Sequence, residues 1–113
     1  REQAEYKKTK ETELLLKNIP KESHIVLCDE RGDSLSSLDW SSYMERHKTT
    51  GAGKPLVFVL GGAYGVTEEL KSQAKAMFSL SPMVLNHHVA LAVLLEQIYR
   101  SANIMEGTPY HNV

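Results

Sequence analysis

The groups able to do chemistry in this 113-residue chain are few and well separated. A histidine pair, His87-His88, heads a long apolar run, and Arg100 follows Glu96 by four residues within that run. Tyr110 and His111 stand in a short polar tail, and Cys28 ends the run HIVLC. A glycine turn, Gly61-Gly62-Ala63-Tyr64-Gly65, follows LVFVL. Glycines directly after a strand let backbone approach a ligand, and exposed N–H groups there can meet an anion or a carboxylate. The spacing is not that of the G-x-G-x-x-G dinucleotide fingerprint, and a tight strand-to-helix connection would use the same residues. The positive end of a helix disfavours an imidazolium, so a neutral ring at His87 could accept a proton from a substrate. The alternative is a part in the helix cap and its packing. No metal site is expected: facing ligands on a helix need i, i+4 spacing, and neither cysteine nor carboxylate is placed to complete a set. Cys28 has no neighbouring base and reads as a small buried hydrophobe. Arg100 can reach a phosphate or pair with Glu96 on the same helix face.

Strands and helices must alternate to position these groups. Residues 2–18 lack proline and glycine and are rich in Glu, Lys and Leu, which predicts a helix ended by Pro20, with Leu14, Leu15, Leu16 and Ile19 as its apolar content. Residues 24–28 predict a buried strand, and the following DERGD predicts a turn. Ser36 is a candidate cap for a helix over roughly 37–48 with Leu38, Tyr43 and Met44 inward, and Thr50 to Gly53 form a loop. Residues 56–60 have no polar alternation, the pattern of a parallel strand covered on both faces. Thr67 is a candidate cap for a helix over about 68–77, whose first turn holds Glu68 and Glu69. Met83 to Leu85 predict a third strand, with Met83 and Leu85 as packing residues, before a helix over roughly 87–105 that Asn86 caps and Gly107 and Pro109 stop. Leu91, Leu94, Leu95, Ile98, Ala102 and Met105 recur at helical spacing and mark a core-facing or partner-facing stripe, hence an expected homodimer. Strands alternating with helices imply an α/β layered fold with a mostly parallel sheet, in one domain over 1–113.

Composition is that of an ordinary globular domain, with no run long enough to span a membrane and no secretory leader in the charged opening REQAEYKKTKE. A chain opening on arginine rather than methionine is consistent with a processed or cut form. A lone cysteine fits a reducing compartment, so the expected location is cytoplasmic, or an organelle (chloroplast or mitochondrion) if the source is eukaryotic. Thirteen basic and fourteen acidic residues give a net charge of −1. Lysines and acids alternate from Glu2 to Glu13, a solvated surface rather than a phosphate track. A nucleic-acid partner would therefore have to be held by a local patch, a dimer groove or its own folded shape.

The order of these motifs resembles the RlmH family of SPOUT methyltransferases. That family carries a strand followed by G-G-x-x-G, then L-S-x-x-x-x-P-H, then a helix with E-Q-x-Y-R, and ends in P-Y-H. The corresponding residues here are VFVLGGAYG, LSPMVLNH, EQIYR and PYH, in a match running from about Lys8 to the end. The resemblance implies a trefoil-knotted, Rossmann-like SPOUT fold; knots are rare, and nothing in the residue pattern itself reveals one. It implies S-adenosylmethionine as cofactor, with Cys28 at the cofactor rim, and Gly61 and the segment Leu80, Ser81, Pro82, Met83, Val84 and Leu85 holding it largely by main chain. It also implies methyl transfer to a pseudouridine base nitrogen of large-subunit ribosomal RNA by a homodimer, with His87, Arg100, Tyr110 and His111 facing the substrate. His87 would then take the imide proton.

Four features depart from the family pattern. Asn86 replaces the proline before the histidine, Leu91 replaces an arginine, and Asn112 replaces a basic residue after Tyr-His. The family's first strand–helix–strand unit is not represented. Loss of two cations beside an RNA site weakens phosphate binding, so a non-catalytic SPOUT dimer acting as a binding or assembly module is the second expectation. A fragment or splice form of a longer enzyme is the third.

Overall fold

The computed structural model describes residues 2–61 and 66–111. The elements run α1 (Glu2–Asn18), β1 (His24–Ser34), α2 (Ser37–Thr50), β2 (Leu56–Leu60), α3 (Glu68–Gln73), β3 (Ala74–Ser79) and α4 (His87–Glu106). The three strands form a parallel sheet in the order β2-β1-β3. This is the expected α/β class with a parallel sheet.

Side chains alternate along β1, and the alternation divides the core in two. Ile25 and Leu27 point to one face, where Val59, Val66 and Leu70 join them and Leu15, Leu16 and Ile19 of α1 pack on top. Val26 and Cys28 point to the other, against Trp40, Phe78 and Leu94, with Tyr43 and Ile98 alongside. Trp40, Phe58, Phe78 and Tyr43 form a chain of tilted and edge-on ring contacts there, with Tyr43 and Phe78 perpendicular at 4.9 Å. Thus α1 and α3 cover one side of the sheet, and α2 and α4 the other. Leu38, expected to point inward from α2, is exposed, and Trp40 two residues on takes the buried place.

Local chemistry sets the helix starts. Ser36 caps α2 through a reciprocal box: its hydroxyl accepts from the Asp39 N–H, and the Asp39 carboxylate accepts from the Ser36 N–H. Thr67 caps α3 by accepting from the Leu70 N–H at 3.2 Å, and its hydroxyl also meets Thr12 of α1 at 2.8 Å, which ties the two helices on that face. Asn86 caps α4 by accepting from the His88 N–H at 2.9 Å. The asparagine standing where the RlmH pattern has proline therefore takes over the start of the helix.

Two expectations need correction. The helix expected over 68–77 stops at Gln73, and the third strand is Ala74–Ser79, not Met83–Leu85. AKAMFS is rich in helix formers, but pairing with β1 lets Ala76 and Phe78 enter one core layer and Ala74 and Met77 the other. Met83 and Val84 instead lie on an exposed connection. The DERGD turn is also absorbed into β1. Cys28 and Asp33 both pair with Phe78, so the residues between them form a bulge rather than the end of the strand.

Gly32 sits in that bulge, where a Cβ would lie 2.5 Å from the Met77 carbonyl oxygen. Gly32→Ala should therefore push β1 and β3 apart and destabilise the fold by about 1–3 kcal/mol, as overpacking does. Urea denaturation followed by Trp40 fluorescence measures this.

Candidate functional site

In a parallel sheet all strands end on the same edge, and ligands collect beyond their carboxyl ends. Here that edge carries a cleft of about 560 Å³, within the range of cofactor pockets. Its walls include Cys28 from β1, Leu60 and Gly61 at the end of β2, and Leu80, Ser81, Met83, Val84 and Leu85 from the connection after β3. His87 and Ala90 of α4 close one side. Of the residues expected at the cofactor, only Pro82 is not part of the lining, and it is exposed. Gly62 to Gly65, the rest of the glycine turn, lie outside the described residues, as does Asn112.

Backbone geometry shapes the floor. The Gly61 N–H donates to the Cys28 carbonyl at 3.1 Å, so it extends the sheet and is not free for a ligand. A Cβ at Gly61 would come within 3.3 Å of both Asp29 Oδ2 and Val66 Cγ1, filling the space the glycine leaves open. Ser81 holds its own connection: its carbonyl accepts from the buried Ser79 hydroxyl at 2.8 Å, and its hydroxyl accepts from the Met83 N–H at 3.0 Å. This leaves Met83 and Val84 projecting, with relative exposures of 70% and 83%.

The electrostatics of the cleft were not anticipated from the residue pattern. Glu11, Asp29 and Glu30 line it against a single cation, Arg31. Asp29 pairs with Arg31 at 2.9 Å and also accepts from the Arg31 N–H. The Arg31 hydrogen bond holds its carboxyl below the usual range. The remaining carboxylates leave the lining net negative, suited to a cationic ligand. The clue lay in DERGD, which reads as turn chemistry until the bulge turns it toward the cleft. Burial pushes the Cys28 thiol up to about 12, so it is neutral at physiological pH and no nucleophile.

The other expected site residues gather elsewhere. Arg100 forms an ion pair with Glu96 at 2.7 Å, meets His111 Nδ1 at 2.9 Å and lies 4.7 Å from the centre of the Tyr110 ring. The Tyr110 hydroxyl donates to Glu96 at 2.8 Å, and its ring packs edge-on against Tyr99 at 4.9 Å. Arg100, Tyr110 and His111 thus form one network, but it is distant from His87. At 1.5 Å and 100° per residue, Glu96 and Arg100 lie about 14 and 20 Å along α4 from His87 and roughly half a turn around it. Between them, α4 exposes Leu91, Leu95 and Tyr99 in one stripe, while Leu94 and Ile98 face the core. Among the described residues no group of His, Cys, Asp and Glu is arranged to hold a metal ion, and no helix is long and apolar enough to cross a membrane.

Comparison with known proteins identifies the class. Residues 1–111 match the family described as "Predicted SPOUT methyltransferase". The chain belongs to the SPOUT methyltransferase family. Among curated relatives it is similar to the ribosomal RNA large subunit methyltransferase H of Bdellovibrio bacteriovorus, with 45% identity over 113 residues, all of this chain and 72% of that protein. It is likewise similar to the proteins of that name from a Geobacter species, at 44% identity over 97% of this chain and 71% of the relative, and from Citrifermentans bemidjiense, at 43% over the same shares.

The tail network carries a pH dependence. The Glu96 carboxyl is held below its usual range, first by the Arg100 hydrogen bond and then by that of Tyr110. A depressed carboxyl contributes fully above its unfolded value, near 4.3, and loses that contribution as pH falls through the folded value. Acidification from pH 6 to about pH 3 should therefore release Tyr110 from α4. Loss of the Tyr99–Tyr110 ring contacts in proton NMR reports it, and Glu96→Gln should remove the acid transition.

Proposed function

We propose that this chain is an S-adenosylmethionine-dependent methyltransferase that modifies a base nitrogen, that of a pseudouridine, in large-subunit ribosomal RNA, and that it works as a homodimer. The observation carrying the cofactor assignment is the net-negative, backbone-floored cleft at the carboxyl ends of the strands. Leu60, Leu80 and Leu85 offer an apolar bed for an adenosyl group, and Gly61 keeps the floor open. Glu11 and Glu30 complement the sulfonium and ammonium charges. When bound, S-adenosylmethionine supplies an electrophilic methyl group. His87 lines the same cleft and would accept the proton of the target ring nitrogen. Alignment of donor and acceptor accounts for most of the rate enhancement. Substrate specificity is drawn from the names of the relatives, which are ribosomal RNA methyltransferases.

The helix spacing supports the dimer. One protomer cannot bring both His87 and the Arg100–Tyr110–His111 network to a single nucleotide. A second copy docked on the Leu91–Leu95–Tyr99 stripe, running antiparallel, could set its network beside the first copy's cleft. Exposed Met83 and Val84 would extend the same apolar surface. Arg100 would then exchange part of its bonding to Glu96 for an RNA phosphate.

The tests are calorimetric and kinetic. S-Adenosylmethionine should bind with a measurable heat, and its absence at millimolar ligand would reject the cofactor. His87→Ala and Arg100→Ala should each lose most methyl transfer to ribosomes that lack the modification. Dissociated and reassociated together, the two variants should recover about a quarter of wild-type activity, because half the dimers are mixed and each of those has one intact composite site. No recovery, with mixed dimers demonstrated by native mass spectrometry, would mean that each protomer acts alone.

A further inference from the structure

The opposite edge of the sheet holds a second cleft of about 670 Å³, which plays no part in the reading above. It opens where β1 begins, at His24, about 13 Å along the strand from Cys28. Its floor is apolar, from Leu16, Ile19 and Ile25. Its rim is cationic: Lys21, Lys54 and Lys75 stand against one carboxylate, Glu22. None of the three lysines has a carboxylate partner within 4 Å among the described residues, whereas Lys10, Arg31, Lys71 and Arg100 are so paired. Two histidines join them. The His24 and His47 rings meet edge-on at 4.8 Å; His24 Nε2 is bonded to the Tyr43 hydroxyl, and His47 Nε2 donates to the Lys54 carbonyl at 2.8 Å. That last bond fixes the loop that carries Lys54.

Two further observations point the same way. Among the described residues, the only non-glycine residues with positive φ are Glu22 and Ala52, at 62° and 53°, and both lie on this rim. Residues held in that region concentrate at ligand-binding positions. His24 is held below its usual pKa, first by burial and then by the charges of His47 and Lys75, so the lysine's field reaches the ring. An anion in the cleft would relieve that repulsion.

We propose that this cleft is a phosphate site that grips the sugar–phosphate backbone of the RNA substrate, away from the base being modified. The proposal rests on the RNA reading above. It supplies what the overall charge of −1 does not: a local cationic patch on a chain without a basic excess. Because the site lies across the sheet from the cofactor cleft, it would hold a flanking stretch of RNA and set affinity rather than chemistry.

The test uses the whole chain with carbon-13-labelled histidine, titrated with inorganic phosphate and with a short RNA duplex. The His24 and His47 ring signals should shift saturably with both, and more tightly with RNA. Lys54→Gln/Lys75→Gln should weaken RNA binding about tenfold, make the log–log salt slope shallower by about 1–2, and raise the KM for ribosomes with kcat unchanged. Ring shifts with phosphate but not RNA would assign the cleft to a free anion and overturn the proposal, as would RNA shifts that persist in the double variant. If the wild-type chain methylates ribosomes while the double variant keeps its KM and salt slope, the site is refuted and the methylation reading stands. If the wild-type chain transfers no methyl group but its histidine signals follow RNA through the two lysines, the methylation reading falls and the site stands.

Discussion

Parallel pairing of β1 with β2 on one side and β3 on the other is the constraint from which the functional geometry follows. Because β1 is central, its alternate side chains must satisfy two cores, and Ile25 to Cys28 are accordingly buried. Because all three strands run the same way, Cys28, Gly61 and Leu80 arrive at one edge, although they lie far apart in the chain. The bulge between Cys28 and Asp33 then turns carboxylates toward that edge without ending the strand. Gly32 makes the bulge possible by letting β1 backbone lie against the Met77 carbonyl.

The two edges of the sheet differ in charge. The carboxyl edge is lined by three carboxylates and one guanidinium, the amino edge by three ammonium groups and one carboxylate. Summed over the chain these nearly cancel, and a net charge of −1 conceals both. The cofactor and the RNA backbone proposed for these edges would each meet a field of the appropriate sign, with the sheet keeping the two apart.

Helix α4 runs from the carboxyl-edge cleft to the tail network. Its amino end lines the carboxyl-edge cleft, and its middle anchors the tail through Glu96 and Arg100. A straight helix fixes the separation of these groups, and no side-chain movement closes about 20 Å. The exposed Leu91–Leu95–Tyr99 stripe between them supplies a surface on which a second copy would restore their proximity. Within the chain, Arg100 bonds to Glu96 and His111 and lies over the Tyr110 ring, so its charge is compensated.

Much of the architecture could be read from residue order alone. The apolar runs at 24–28 and 56–60, the caps Ser36, Thr67 and Asn86, and the long helix after Asn86 rest on local rules of periodicity and capping. Most residues that line the carboxyl-edge cleft were also named in advance, through the family resemblance rather than through any local rule. Local rules failed at AKAMFS, where helix-favouring residues became a strand because a vacant parallel edge of β1 and two core layers outweighed propensity. They failed at DERGD for the same reason: a bulge depends on a neighbouring strand that residue order does not display. The charge of each cleft, the distance from His87 to Arg100 and the gathering of Lys21, Lys54 and Lys75 were likewise settled by folding. Electrostatic fields and separations depend on which remote segments share an edge, and strand pairing alone determines that.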